Sequence, residues 1–383
     1  MKKLNTKIEE MKPSGIREFF NYASERPDII SLGVGEPDFL TPSRVIESAK
    51  KSLDDGKTFY TSNQGLPSLR KQISSYLSSR FNVSYSPEEM ILTAGSSQGI
   101  LAALLALINP GDEVIVTEPT YVCYIPDIEM CGGKAVVIPL KIENEFKLTK
   151  EELAKYITPK TKALFLSFPN NPTGAIMTKE ELEELLPLII ENDLYVISDE
   201  IYAELTYEGK HCSIASFEGM KERTILINGF SKAFAMTGWR LGYVCADKPI
   251  LDLILKIQQF IMLSAPTIAQ YGAITGIEDC IPDMLDMVKE YNNRRKYLLD
   301  SFKELGIDCF DAKGAFYLFP SIKQFNMSSR DFCLRILHEH NILVVPGTAF
   351  GDSGEGFIRI SYAANMDKLK VFINALKEML REK

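Results

Sequence analysis

Lys232 and Arg240 stand eight residues apart in the stretch Asn228-Gly229-Phe230-Ser231-Lys232-Ala233-Phe234-Ala235-Met236-Thr237-Gly238-Trp239-Arg240-Leu241-Gly242. A lysine among apolar neighbours loses part of its hydration, which favours the neutral, nucleophilic amine. A nearby arginine keeps its charge and suits a phosphate. The pair offers an amine nucleophile beside an anion clamp; the plainer alternative is a surface lysine with a structural arginine. Ser198-Asp199-Glu200-Ile201-Tyr202 adds a carboxylate and, three residues on, a phenol. Taken alone, Asp199 equally fits a helix N-cap. Arg359 places a guanidinium inside the strand Ile358-Arg359-Ile360, which by itself equally fits an edge-strand salt bridge.

The elements that must position these groups are apolar strands. Thr224-Ile225-Leu226-Ile227 precedes Lys232, and Leu194-Tyr195-Val196-Ile197 precedes Asp199. Ala163-Leu164-Phe165-Leu166 precedes Asn170-Asn171-Pro172-Thr173-Gly174. Each reads as a buried strand, and open α/β sheets place ligands at such strand ends. Further strands are expected at Met90 to Ala94, Glu113 to Val116 and Ala135 to Pro139, and further helices at Ser43 to Leu53 and Lys150 to Tyr156. Thr178 with Glu181 is a capping box opening a helix through Ile190. Ile16 to Ala23 reads as a short helix before the extended Ile29 to Leu32. The alternation implies a mostly parallel sheet with helices on both faces. Towards the C-terminus, strands are expected at Gly314 to Phe319, Ile342 to Val345 and Phe357 to Ser361, with helices at Asp331 to His340 and Met366 to Leu380.

Gly95-Ser96-Ser97-Gln98-Gly99 is a small-residue turn between the strand at Met90 and the apolar helix Ile100 to Ile108. Free N–H groups and the positive end of the helix dipole make it a phosphate seat, with Ser96 and Ser97 as further donors. The same five residues fit Gly-x-Ser-x-Gly, the nucleophile elbow of serine hydrolases, with Ser97 as nucleophile. That reading needs a histidine. His338 and His340 fall two apart in one helix, on different faces, and His211 reads as part of a polar loop. No cluster accompanies the His-x-His pair, so no metal site is expected.

The 383 residues suggest two domains, at about 150 per domain. A hydrophobic content of 45% and a charged content of 25% fit an ordinary globular protein. The net charge of -8 argues against a nucleic-acid binder. The seven cysteines form no Cys-x-x-Cys pair and read as thiols of a reducing compartment. Met1 to Ile8 lacks the apolar core of a signal peptide, and the longest aliphatic run is nine residues, too short for a bilayer. A cytoplasmic location is expected, with neither membrane nor nucleic acid as partner.

The strand-end motifs, with Ser231-Lys232 and Gly238-Trp239-Arg240, resemble class I aminotransferases, the fold-type I enzymes that use pyridoxal 5′-phosphate (PLP). The likeness runs from Gly33-Val34-Gly35-Glu36-Pro37-Asp38-Phe39 to Phe357-Ile358-Arg359-Ile360-Ser361. It implies a large PLP-binding domain over residues 41–285, a smaller α/β domain over 286–383, and an N-terminal segment, 1–40, packing with the small domain and the substrate site. It implies that Lys232 bonds the cofactor and shuttles the substrate proton, and that Asp199 holds the proton of the pyridine nitrogen. Tyr202 and Asn171 would bond the phenolic oxygen, and Tyr121 would stack on the ring. Gly95, Ser96, Ser97, Ser231 and Arg240 would hold the phosphate, and Tyr60 would reach the phosphate of the other subunit in a homodimer with shared sites. Arg359, with Gly35 and Asn171, would take the substrate α-carboxylate, on a domain able to close.

The implied reaction moves an amino group between an L-amino acid, of aspartate, aromatic or broad type, and a 2-oxo acid such as 2-oxoglutarate. Carbon–sulfur lyases and aminocyclopropane carboxylate synthases share these motifs and are the alternatives. A PLP-sensing regulator would carry a DNA-binding domain, which residues before 11 do not supply. Two positions depart from related enzymes. Gly229 stands where many carry a serine, and Ser97 stands where some aspartate-using members carry a lysine, which puts strict aspartate specificity in doubt.

Overall fold

The computed structural model describes residues 2–11, 13, 15–16, 26 and 28–381. Beyond Ile16, the short helix expected to reach Ala23 lies outside the described residues. The central feature is a seven-stranded sheet in the order β2-β8-β7-β6-β5-β3-β4. Its members are β2 (Met90–Thr93), β3 (Glu113–Glu118), β4 (Lys134–Pro139), β5 (Thr161–Ser167), β6 (Tyr195–Asp199), β7 (Thr224–Gly229) and β8 (Gly242–Cys245). Six strands run in one direction, and β8 runs antiparallel to both its neighbours. Every residue of β7 is buried, as expected of a strand covered on both faces.

Helices Ser96–Leu107 and Lys248–Ile261 cover one face, burying Ile100, Leu104, Leu251 and Ile254 against Val114, Ile225 and Val244. Helices Lys150–Tyr156 and Lys179–Glu191 cover part of the other, with Leu153, Leu182 and Ile189 against Ile115, Leu164 and Val196. The capping box at Thr178 forms: Glu181 N–H donates to Thr178 Oγ1 at 3.3 Å, and Thr178 N–H donates to Glu181 Oε2 at 2.8 Å.

Helix Ile281–Leu305 has 25 residues and so runs about 37 Å. It ends in a left-handed cap at Gly306, φ 65°. The expected division at 285/286 falls in its first turns. It buries Arg295 between Glu208 Oε1 at 2.7 Å, Asp311 Oδ1 at 2.8 Å and the Ala312 carbonyl at 2.8 Å. The C-terminal part holds an antiparallel three-stranded sheet, β11 (Val345–Pro346), β12 (Ile358–Ser361) and β9 (Tyr317–Leu318), in that order. β1 (Ile30–Ser31) pairs in parallel with β10 (Ile342–Leu343), so residues just before Gly33 are fixed to the C-terminal part.

Two expected strands are shorter in the structure. The run Ile342 to Val345 splits because its halves pair with different partners, β1 and β12. The run Gly314 to Phe319 contracts to Tyr317–Leu318, because Gly314 bridges to Thr206 and Ala315 takes a left-handed φ of 56°.

The N-terminus of helix Ser96–Leu107 sits directly on the sheet through glycines of β7 and β8. A Cβ at Gly242 would lie 2.6 Å from Ser96 N and 2.8 Å from the Gly95 carbonyl carbon. One at Gly229 would lie 2.9 Å from Gly242 Cα and 3.0 Å from Leu241 O. Glycine at 229 is therefore a packing requirement, whatever donor a serine would add. Gly242→Ala must push the helix start off the sheet and is expected to cost about 1–3 kcal/mol, read as a lower urea midpoint with an unchanged slope. An unchanged midpoint would mean that this contact relaxes freely.

Candidate active site

The ends of β2, β3, β5, β6 and β7 open on one cleft of about 920 Å³. Gly35, Ser96, Ser97, Tyr121, Asn171, Asp199, Tyr202, Ser231, Lys232, Arg240 and Arg359 all line it. Gly95 lies at its edge with φ 81°, where a Cβ would overlap the Arg240 guanidinium. Tyr60 lies outside the cleft of its own chain and is 80% exposed. The residues singled out by sequence thus converge, Tyr60 excepted.

Lys232 follows β7 and is only partly exposed. Its Nζ donates to the Gly35 carbonyl at 2.5 Å and sits 5.6 Å and 5.8 Å from the ring centres of Phe316 and Tyr202. Burial pushes its ammonium down to about 8, against the pull of Glu36 and with the push of Arg359 and Arg240.

Asp199 ends β6 and is buried. No helix starts there, so the N-cap alternative drops out; Asp199 Oδ1 accepts from Ile201 N–H at 3.1 Å in a local turn. Its Oδ2 accepts from Tyr124 Oη at 2.7 Å, and that hydroxyl also lies 3.0 Å from Ser167 Oγ. Burial raises the Asp199 carboxyl to about 6, with the Tyr124 hydrogen bond and the charge of Lys232 opposing it. Tyr124 is held flat against Phe165, with ring centres 4.1 Å apart. Sequence reasoning assigned Tyr124 no role. A buried carboxylate must find donors, but nothing in the chain order says which hydroxyl supplies them.

Arg359 is on the middle strand of its sheet and 2% exposed, so the edge-strand alternative also drops out. No carboxylate among the described residues pairs with it. Nη1 donates to Asn171 Oδ1 at 3.0 Å and Nη2 to the Gly33 carbonyl, while the buried Nε has no partner. Burial lowers its pKa, against the nearby Tyr317 and Tyr202 phenols. A buried guanidinium with a free N–H is short of an anionic acceptor. Tyr317 lies beneath it, with the guanidinium carbon 4.5 Å from the ring centre.

At the other end, Arg240 approaches the Gly95 turn, and its Nη1 donates to the Thr237 carbonyl at 3.0 Å. Helix Ser96–Leu107 starts here and adds its free N–H groups. Ser96 Oγ donates to the Asn228 carbonyl at 3.1 Å, while Ser97 and Ser231 face the cleft.

No histidine lines the cleft. His211 lies in a loop, as expected, but its ring is buried and its Nε2 lies 2.7 Å from Glu200 Oε2, an acid partner away from the cleft. A Ser97 hydrolase therefore has no base at hand. No group of three or more His, Cys, Asp or Glu able to hold a metal occurs among the described residues.

A cleft with a lowered-pKa lysine, a buried acid, an anion seat at one end and an arginine fork at the other defines an enzyme for amine chemistry on anionic ligands. The family model described as "Aminotransferase class I and II" matches residues 27–376. The aspartate aminotransferase of Pyrococcus abyssi is 44% identical over 384 residues, covering 99% of both chains. Aromatic-amino-acid aminotransferase 2 of Thermococcus litoralis is 41% identical over 384 residues, again with 99% of each covered. The solved structure of Thermus thermophilus aspartate aminotransferase with maleate superposes with a TM-score of 0.93 at 36% identity, covering 100% of each chain. The chain belongs to the class I and II aminotransferases, and its fold is that of the fold-type I enzymes.

The state of Lys232 gives a direct check. An amine with a pKa of about 8 is mostly protonated, and inert, below that pH and mostly neutral above it. Modification of Lys232 by an aromatic aldehyde, followed by peptide mapping, should accelerate as pH rises through about 8 and level off above. A rate still climbing beyond pH 10 would show an ordinary, hydrated lysine.

Proposed function

We propose that the protein transfers the amino group of an L-amino acid to a 2-oxo acid such as 2-oxoglutarate, with PLP held at Lys232. The observation that carries this is the one cleft lined by Lys232, the buried Asp199 and Arg359, whose buried Nε has no partner. The residues fit PLP. Asp199 is a buried carboxylate without a cationic hydrogen-bond partner, and the turn at Gly95 is a cradle that a Cβ would fill. When bound, PLP supplies an aldehyde for the amino group and a ring that takes up the electron pair released at the α-carbon.

The protein's own groups divide the remaining work. Gly95, Ser96, Ser97, Ser231 and Arg240 seat the phosphate. Asp199, held by Tyr124, keeps the proton of the ring nitrogen, and Tyr121 covers the ring face. Tyr202 and Asn171 donate to the phenolic oxygen. Arg359, with Asn171 and the Gly33–Gly35 segment, takes the substrate α-carboxylate. Lys232 Nζ would hold the PLP aldehyde carbon and, as a free amine, would be the base for the substrate α-proton. Residues 41–285 and 286–383 act as large and small domains, and 1–40 as a segment tied to the latter.

The only cationic side chains among the described residues of the cleft are Lys232, Arg240 and Arg359. Ser97, where some aspartate-using relatives carry a lysine, supplies no charge for a second substrate carboxylate, which supports a range not restricted to aspartate. The homodimer is supported by one exposed apolar face. Phe59 and Tyr60 are 82% and 80% exposed, and Thr267 Oγ1 bonds the Phe59 carbonyl at 2.8 Å. Asn63 Nδ2 bonds the Leu263 carbonyl at 2.9 Å and brings in Phe260, 90% exposed. Such a patch on one surface calls for a partner, and a second copy would receive Tyr60 into its phosphate seat. Seven unpaired cysteines support a reducing, cytoplasmic setting. No helix of the described residues is long and apolar enough to cross a membrane.

Borohydride reduction of the PLP-loaded protein should fix the phosphopyridoxyl group on the peptide containing Lys232; a label on another lysine would overturn the assignment. Arg359→Leu should raise the amino-acid KM at least about tenfold, since a charged fork is lost, and an unaffected KM would move the carboxylate anchor elsewhere. Asp199→Ala should lower turnover far more than PLP retention, with near-normal turnover as the contrary result.

A further inference from the structure

Tyr317 was not among the residues singled out by sequence, yet it touches three parts of the proposed site. Its hydroxyl lies 2.7 Å from that of Tyr202. Its ring carries the Arg359 guanidinium at 4.5 Å. Gly35 passes so close that a Cβ there would overlap the Tyr317 hydroxyl, and the Gly35 carbonyl is the acceptor for Lys232 Nζ at 2.5 Å. Tyr317 is 1% exposed and fixed on β9, where Ser361 of the neighbouring strand is its register partner.

We propose that Tyr317 is a positioning residue joining the carboxylate fork to the phenol that faces the cofactor site: its ring seats Arg359 and its hydroxyl orients Tyr202. The inference rests on the aminotransferase reading of this cleft. In a buried pair of hydroxyls one must donate to the other. The Arg359 charge lies over the Tyr317 ring and acts on that phenol first, making it the better donor. With Tyr317 donating to Tyr202 Oη, the Tyr202 proton is left free to point into the cleft. A phenol held only by packing would leave this proton direction unset. The same hydroxyl sets how near the Gly33–Gly35 segment runs, and with it the carbonyls that hold Arg359 Nη2 and Lys232 Nζ.

Two substitutions at the position separate ring from hydroxyl. Tyr317→Phe keeps the ring under Arg359, so the amino-acid KM should stay within about twofold while kcat falls about three- to tenfold, the worth of one neutral hydrogen bond. The pH midpoint of the bound-PLP absorbance should move in this variant. Tyr317→Leu removes the ring as well and should raise KM about five- to thirtyfold. Tyr202→Phe should by itself reproduce the kcat loss and the midpoint shift. Adding Tyr317→Phe to it should then change neither further, a coupling that independent packing roles would not give. Additive effects in this cycle, or a KM increase in Tyr317→Phe equal to that in Tyr317→Leu, would overturn the proposal and leave the aminotransferase reading intact. Absence of PLP absorbance in the unsubstituted protein would instead remove that reading, and the proposal with it.

Discussion

Desolvation of three charged groups in one cleft is the constraint on which the rest of the structure turns. Burial alone is unfavourable to Lys232, Asp199 and Arg359, and each is left short of a full complement of partners. The lysine is pushed towards its neutral form, the aspartate is pushed up to about 6, and the arginine keeps a buried N–H without an acceptor. A protein that hydrated or fully paired these groups would be more comfortable and chemically inert. The unmet capacity of each is what a ligand bearing an aldehyde, a ring nitrogen, a phosphate and a carboxylate would satisfy.

The fold exists to hold that unfavourable arrangement in place. Parallel strands bring Asp199, Asn171, Lys232 and the Gly95 turn to one edge because their C-terminal ends point the same way. Two glycines, Gly229 and Gly242, let the helix that opens at Ser96 beside Arg240 rest on the sheet. The Arg359 end comes from elsewhere: Arg359 from β12, Tyr317 from β9, and the Gly33–Gly35 carbonyls from a segment tethered by β1. The cleft is thus a seam between a large sheet and a small one, joined by the long helix Ile281–Leu305.

Six strands of the large sheet were legible because buried parallel strands are short apolar runs, whereas the antiparallel β8, Gly242–Cys245, follows the glycine-rich Lys232 stretch and was not expected as a strand. The small sheet was less so. Its strands have two to four residues and change partners within a run, as at Leu343 to Val345, which no sequence period records. In the cleft, Lys232, Asp199 and Arg359 stood out because each is an ionisable residue in or just after an otherwise apolar strand. Their supports did not: Tyr124 and Tyr317 look like ordinary core aromatics, and only the fold shows Tyr124 facing Asp199 and Tyr317 facing Tyr202. His211 lies in the loop expected for it, but its buried pairing with Glu200, eleven residues earlier in the chain, is a contact that only the fold shows.

The measurement that tests the account most directly is a half-reaction. One L-amino acid, such as tyrosine or aspartate, is added without any 2-oxo acid to the PLP-loaded protein, and absorbance and released products are followed together. The account predicts loss of the visible cofactor absorbance with one 2-oxo acid released per cofactor, and its return when 2-oxoglutarate is added. Release of ammonia with a 2-oxo acid over many turnovers, while the absorbance persists, would contradict transamination and assign the same cleft to a lyase.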